Sequence, residues 1–393
     1  MPISRMMPIS GGATFTQNAD FHLASFNQGA SFVEATFTQG ANFSDAIFAQ
    51  NHTFESARFN QRALFDGVSY ENEETTTKHG GTFNGCTFEG DVSFTNIATR
   101  SKISFHGITF HKRFTVGAIG GIPVRLEALE LVDCTFERDA NVHIGSLIID
   151  KLEFSQLRNL SPLVKFVNIA VKQQFVLEDS TLSGAELSNV VLAKNDKKEN
   201  WEAAIKIALS SFTKTAFNNV QWGKVERIDA DRDTFRQLKA ANEDQKNYLQ
   251  ANEFYMMEMK KYGKEIHGRK DKRQERVEFW LGDKLSKFSN DWVRPIVWLI
   301  GLTALFYAFT FCAELKTEAN TLWLASQGHN GEFLVQLPPI VYCETNRFFT
   351  FMNPLETKYN DLNVPASIWV FYKVSAGLVI YQIIVSLRRK TRH

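Results

Sequence analysis

ATFTQNADFHLASFNQGASFVEATFTQGANFSDAIFAQNHTFESARFNQRALF, residues 13–65, decides how this chain folds. Phe stands at Phe15, Phe21, Phe26, Phe32, Phe37, Phe43, Phe48, Phe54, Phe59 and Phe65, at intervals that alternate six and five, so the true period is eleven. Two positions before each Phe sits Ala13, Ala19, Ala24, Ala30, Ala35, Ala41, Ala46, Ala57 or Ala63, and only His52 breaks the pattern. On a helix, steps of five and six at roughly 100° per residue would scatter the Phe over two opposed faces with no seam. The Gly, Asn, Ser and Thr between them are also mediocre helix formers. In extended backbone, residues i and i−2 point the same way, so each Ala-x-Phe faces one side and the polar residues after it turn a corner. A chain of such units coils into a solenoid whose interior is filled by stacked Ala and Phe.

ATFTQ at 13–17, ADFHL at 19–23, ASFNQ at 24–28 and ANFSD at 41–45 resemble the pentapeptide-repeat family, whose motif is five residues with a central Leu or Phe and Ala two before it. The resemblance implies a right-handed quadrilateral β-helix with one repeat per side. The sixth residue on every other side departs from the strict motif and predicts coils of about 22 residues instead of 20.

Beyond Phe65 the pattern frays. Asp66–Gly80 reads as an inserted loop, and register returns at Phe83, Phe88 and Phe94, with Cys86 in an Ala slot, and again at Phe105 and Phe110. Degenerate pieces continue to residue 222. Apolar runs at 126–132, 147–152 and 163–177 predict wider coils or added strands, and Trp201–Leu209 a helical interruption. From Asp231 the composition shifts to Lys, Glu, Gln, Ala and Met, predicting two amphipathic helices that meet at Glu243–Asn247. This helical neck, 229–291, resembles the piece that follows the repeats in membrane-bound family members. Its end is basic, with eleven Lys/Arg in Lys260–Arg294, and reads as a juxtamembrane segment drawn to anionic lipid, with Phe279, Trp280, Leu281, Leu285 and Phe288 on its apolar side.

The remainder, 292–393, reads as a membrane domain. Val293–Ala313 and Ile368–Leu387 are 21 and 20 residues long, with one charge each, Arg294 and Lys373. Both meet the length needed to cross about 30 Å of hydrocarbon. The loop 314–365 holds three Lys/Arg against six Asp/Glu, whereas Arg388, Arg389 and Lys390 flank the second span. The positive-inside rule then places both termini and the solenoid in the cytoplasm, giving a multi-pass bacterial inner-membrane protein. Lys373 either snorkels to the outer headgroups or pairs with Glu314.

Composition and motifs bound the function. A net charge of +1 argues against nucleic acid as a partner, and four cysteines without zinc spacing or disulfide density predict no metal site. The chain contains no GxSxG, Walker A, GxGxxG, HExxH or kinase signature, so no enzyme and no cofactor are expected. The Asn-x-Ser/Thr triplets at Asn42, Asn51 and Asn159 fall within or near solenoid coils and read as chance. The expected fold is therefore a β-solenoid with a short tail, 1–12, before it, followed by an α-helical neck and two transmembrane α-helices. The expected function is a membrane-bound scaffold that meets lipid through its spans and an unidentified protein through its β-helix, with homo-oligomers through the transmembrane helices open. A two-span channel-like pore is the alternative, although 314–365 lacks a potassium filter. Duplex-DNA mimicry, which the resemblance brings in from soluble relatives, needs an acidic surface, and residues 11–65 carry only four acidic residues against two basic.

Overall fold

The computed structural model describes residues 11–27, 30–48, 52–70, 81–97, 101–118, 121–195, 199–267, 269–288, 291–308 and 366–390. They form two compact units, Met1–Lys261 and Tyr262–His393.

The first unit is a parallel β-solenoid. The first four sides are Thr14–Phe15, Ala19–Asp20, Ser25–Phe26 and Ala30–Ser31, and the fifth strand, Thr36–Phe37, pairs in parallel with the first. One coil is therefore 22 residues (Thr14 to Thr36) and four sides. On the first side the ladder passes through Thr14, Thr36, Arg58, Thr87, Thr109, Thr135, Arg158, Thr181 and Ser211, about eight turns.

The alternation of five and six is a property of the corners. Where the interval is five, the Ala amide closes a tight turn onto the Phe carbonyl: Ala24 to Phe21 at 3.0 Å, Ala35 to Phe32 at 3.1 Å, Ala46 to Phe43 at 3.1 Å and Ala57 to Phe54 at 3.0 Å. Each such turn has one residue with positive φ, Leu23 (59°), Glu34 (55°), Asp45 (56°) and Ser56 (57°), spaced eleven apart. Where the interval is six, as between Phe15 and Phe21, the extra residue widens the corner.

Inside, the Phe rings stack in columns at the strand-pairing distance. Phe15–Phe37, Phe37–Phe59 and Phe59–Phe88 are 4.8, 4.7 and 4.9 Å apart, nearly parallel, and rings of neighbouring columns meet edge to face, as Phe43 and Phe54 do at 5.3 Å. Both geometries suit the ring quadrupole. From Phe32 to Phe105 the column on the fourth side is all Phe. It then continues as Leu131, Phe154, Leu177 and Ile207.

Two sequence expectations are corrected. The Asp66–Gly80 insertion starts later, because Asp66–Tyr70 still forms a coil: Gly67 takes the next positive-φ corner, Val68 is buried in the Ala slot, and Ser69–Tyr70 pairs with Ile47–Phe48. Residues 71–80 lie outside the described residues. Trp201–Leu209 is not helical. Asn200–Glu202 pairs antiparallel with Ala193–Asn195, and Ala204–Ala208 pairs in parallel with Gln174–Glu178. Ile205 and Ile207 face inward while Ala204 and Lys206 face out, a period of two that the mixed composition hides.

The apolar runs do make wider coils. Val124–Val132, Asn141–Ser155 and Val164–Glu178 are strands of 9, 15 and 15 residues. The two longest turn a corner without leaving the ladder, at Ser146 (φ 53°) and Asn168 (φ 55°). Beside this corner Gly117 stacks on Gly145 so closely that a Cβ on Gly117 would lie 1.7 Å from the Gly145 carbonyl oxygen.

Pairing continues past residue 222 to Asp229–Ala230. Two helices then follow, α1 (Arg232–Asp244) and α2 (Tyr248–Ile266), which meet at Glu243–Asn247. Asp231 caps α1 by accepting the Thr234 amide at 2.7 Å. Instead of a free connector, α1 and the start of α2 cover the last coil: Phe235, Leu238, Phe254 and Met257 join the solenoid core. Gln237 and Gln245 accept the Phe212 and Phe217 amides at 2.8 and 3.0 Å. An exposed sheet edge invites foreign strands, and here side-chain amides and a helix cover it.

The second unit contains α3 (Arg273–Ser286), α4 (Val293–Ala308) and α5 (Ala366–Lys390). Phe306 stacks on Tyr372 at 4.2 Å, Thr303 hydroxyl meets the Tyr372 hydroxyl at 3.1 Å, and Ser286 hydroxyl donates to Gln382 Oε1 at 3.1 Å. These contacts hold α4 and the end of α3 against α5. One described helix, Ser367–Arg388 within α5, has 22 residues, with an 18-residue window of mean hydropathy 1.7, and is long and apolar enough to cross a membrane. The described part of the first expected span is the shorter α4, and 309–313 lie outside the described residues.

Candidate interaction surfaces

The Phe and Ala ladders named above are interior in every described coil. Phe32 to Phe65 are shielded from solvent, and only Ala13 and Phe15, in the first coil, are partly exposed. His52, which replaces Ala, stacks its ring on Tyr70 and meets the Phe48 ring at a tilt, each 4.8 Å away. These residues hold the fold and turn away from the outer face.

The solenoid carries a trench of about 860 Å³. It arises from two bulges that align at one corner of the coils. Ser101 pairs with Leu126 and Lys102 with Ala128, so Glu127 is extra. Two coils on, Ile149 pairs with Val171 and Lys151 with Gln174, so Asp150 faces Lys172 and Gln173. Bulges re-aim side chains and bend the strand. Here they push three polar corners outward, and Lys102, Arg125, Lys151 and Lys172 line the trench with Glu127, Glu130 and Asp150.

The trench floor is an ion network. Glu130, 8% exposed, accepts from Lys102 and Lys151 at 2.9 Å each and from Ser104 hydroxyl at 2.9 Å, and Lys151 also reaches Glu153 at 2.6 Å. Burial pushes the Glu130 carboxyl up, but the hydrogen bonds from Lys102, Lys151 and Ser104 outweigh that and hold it down at about 2. The Lys151 ammonium is raised, because its bonds to Glu153 and Glu130 exceed the desolvation that opposes them. The floor is thus permanently ionised at neutral pH. Interleaved charges of both signs on a concave, pre-organised surface suit a polar chain segment.

Elsewhere the chemistry is committed to structure. Cys86 and Cys134 are buried, donate to the Phe54 and Phe105 carbonyls at 2.8 and 3.4 Å, and have thiols pushed up by burial to about 12. Such thiols are poor nucleophiles. Asn159 sits in the Phe column above Phe136 and is buried, with its amide donating to the Ser183 carbonyl at 2.9 Å. Asn42 donates to Asp20 at 3.0 Å along the outer ladder, and Asn51 lies outside the described residues. No cluster of three His, Cys, Asp or Glu able to hold a metal occurs among the described residues.

Of the membrane residues singled out by sequence, Arg294 pairs with Asp291 at 3.2 Å. Lys373 Nζ lies 4.5 Å from the centre of the Trp369 ring and 5.9 Å from that of Tyr372. Arg388, Arg389 and Lys390 close α5. Glu314, Cys312 and Cys343 lie outside the described residues. The trench residues went unnoticed in the sequence, although each carries a signal: a charge interrupting an apolar run, Glu127 in LEALELV, Asp150 in LIIDKLEF and Lys172 in IAVKQQFV.

No curated protein matches the chain. Residues 11–58 match the family model for pentapeptide repeats, in 9 copies, and the regular coils at the start of the solenoid are pentapeptide repeats.

Proposed function

We infer that the chain is a non-enzymatic scaffold: a cytoplasmic pentapeptide-repeat solenoid, anchored in the bacterial inner membrane by α4 and α5, that holds a polar segment of a partner protein in the trench. The observation that carries the anchor is α5. Across its 22-residue apolar segment it leaves Val370, Phe371, Val374, Leu378, Tyr381 and Ile384 exposed, a face that water would penalise and lipid would not. Val297, Ile300 and Leu305 do the same on α4. Pentapeptide-repeat solenoids as a class are structural or binding proteins. The charge asymmetry between 314–365 and the end of α5 supports cytoplasmic termini.

The test is alkaline carbonate extraction of membranes from cells expressing the full chain, followed by protease protection. Retention in the pellet, with the solenoid digested only when the cytoplasmic side is open, is the expected result. Release of the intact chain at high pH would overturn the anchor.

A further inference from the structure

The juxtamembrane helix α3 carries a feature that the solenoid does not. Its inward side is fixed by three contacts: Tyr262 hydroxyl donates to Glu275, Phe279 packs against Gly263, and Ser286 bonds Gln382. The sequence assigns Phe279 and Phe288 to a lipid-facing side. In the structure they face each other, 5.0 Å apart, with Phe288 buried. The opposite side of α3, at steps of three and four, presents Arg273, Arg276, Val277, Trp280, Leu281 and Lys284. Its apolar members are open to solvent: Val277 53%, Trp280 56% and Leu281 40% exposed.

On this side lies a cavity of about 350 Å³ lined by His267, Arg273, Arg276, Val277 and Trp280, with no carboxylate among them. The Nε of Arg276 is shut off from solvent there and has no hydrogen-bond partner among the described residues. A buried guanidinium donor left unpaired is costly, and an oxyanion is its natural complement. The location supplies the source of that anion. Ser286, at the end of α3, meets Gln382, six residues and about 9 Å before Arg388 along α5. The cavity lies on α3, whose last residue is thus held near the basic end of the span, where the cytoplasmic leaflet presents anionic lipid.

We propose that His267, Arg273 and Arg276 form a headgroup site for one anionic phospholipid, with Val277, Trp280 and Leu281 dipping into the acyl boundary beside it. The site rests on the membrane reading above and adds a specific lipid to it. Guanidinium pairs bind phosphate in two-pronged fashion, and Trp is at home at the level of the headgroups.

The experiment is native mass spectrometry of the full-length protein in a neutral detergent, offered equal amounts of phosphatidylglycerol and phosphatidylcholine with the same acyl chains. The unaltered protein is expected to retain phosphatidylglycerol about tenfold over phosphatidylcholine. Arg273→Gln alone, at an exposed position, should lower that preference, and Arg273→Gln with Arg276→Gln should abolish it. Arg388→Gln, on α5, should leave it intact. Equal retention of the two lipids by the unaltered protein, or the same loss from Arg388→Gln, would overturn the site. Displacement of the lipid by millimolar inorganic phosphate would assign the cavity to free phosphate and overturn it as well. Vesicle flotation of the same sample separates the two readings: a protein that floats without lipid preference refutes only the headgroup site, and one that does not float refutes the anchor.

Discussion

The regular coils up to Tyr70 and the wide coils from Ser101 to Ala230 belong to one solenoid and share its ladders, yet they solve the same packing problem differently. In the regular coils each side is two residues long, the interior is Phe on Phe, and every corner repeats. The outer face is consequently uniform. In the wide coils strands of up to 15 residues replace short sides, aliphatic residues enter the columns, and bulges accumulate at one corner. The trench exists only there. Uniform coils are fixed by their core, whereas irregular coils open a charged trench on the outer face.

Three changes bear on this contrast. The largest effect is expected from Phe54→Ala, because Phe54 is completely buried and stacks on Phe32 at 4.9 Å and Phe83 at 5.0 Å while meeting Phe43 and Phe65 edge-on. A loss of about 3–5 kcal/mol is expected in denaturant melts. A loss below about 1 kcal/mol would mean that the regular half is held by its backbone ladder and not by its columns.

Next in size is Glu130→Gln. It leaves Lys102 and Lys151 facing a neutral amide, and a loss of about 1–3 kcal/mol at neutral pH is expected. The carboxyl is lowered to about 2 in the folded protein, so its stabilising contribution is complete above its unfolded value near 4.3 and fades as pH falls through 2. The gap between the two proteins should therefore close in acid, which melts at stepped pH would reveal. A gap constant from pH 7 to pH 2 would show that the network does not rely on ionisation.

The smallest effect tests the corners. Leu23 holds a φ of 59° and is 67% exposed, so Leu23→Gly relieves strain without removing a contact. A gain of about 0.5 kcal/mol is expected, the relief being partly offset by the extra freedom of the unfolded chain. A loss would show that the eleven-residue recurrence of positive φ is not a source of strain.

The regular coils were legible because one residue in five or six repeats the same environment, so Ala13 to Phe65 specify side, corner and interior together. Trp201–Leu209 misled because Ala, Lys and Glu favour helix locally, while the pairing of Ile205 with Phe175 comes from a coil made thirty residues earlier. The trench was hidden for the same reason. Glu127, Asp150 and Lys172 are separated along the chain and become neighbours only through register, and no local pattern announces a bulge that recurs two coils on. Likewise, nothing in the sequence of α1 distinguishes a neck from a lid: Gln237 and Gln245 acquire meaning only against the unpaired amides of Phe212 and Phe217.

The 22-residue coil also determines how such a molecule can change in length. Adding or deleting a whole coil among the regular ones returns every Phe to its own column, whereas a gain of eleven would carry each strand to the opposite side of the rectangle, exchanging tight corners only for tight and wide only for wide. Half-coil steps are thus compatible with the corners but shift the side on which everything downstream emerges. In the wide coils neither step is tolerated, since Gly117 must meet Gly145 and each bulge must meet its counterpart. The reach of the solenoid is adjustable at its regular end alone, and its trench is inherited unchanged.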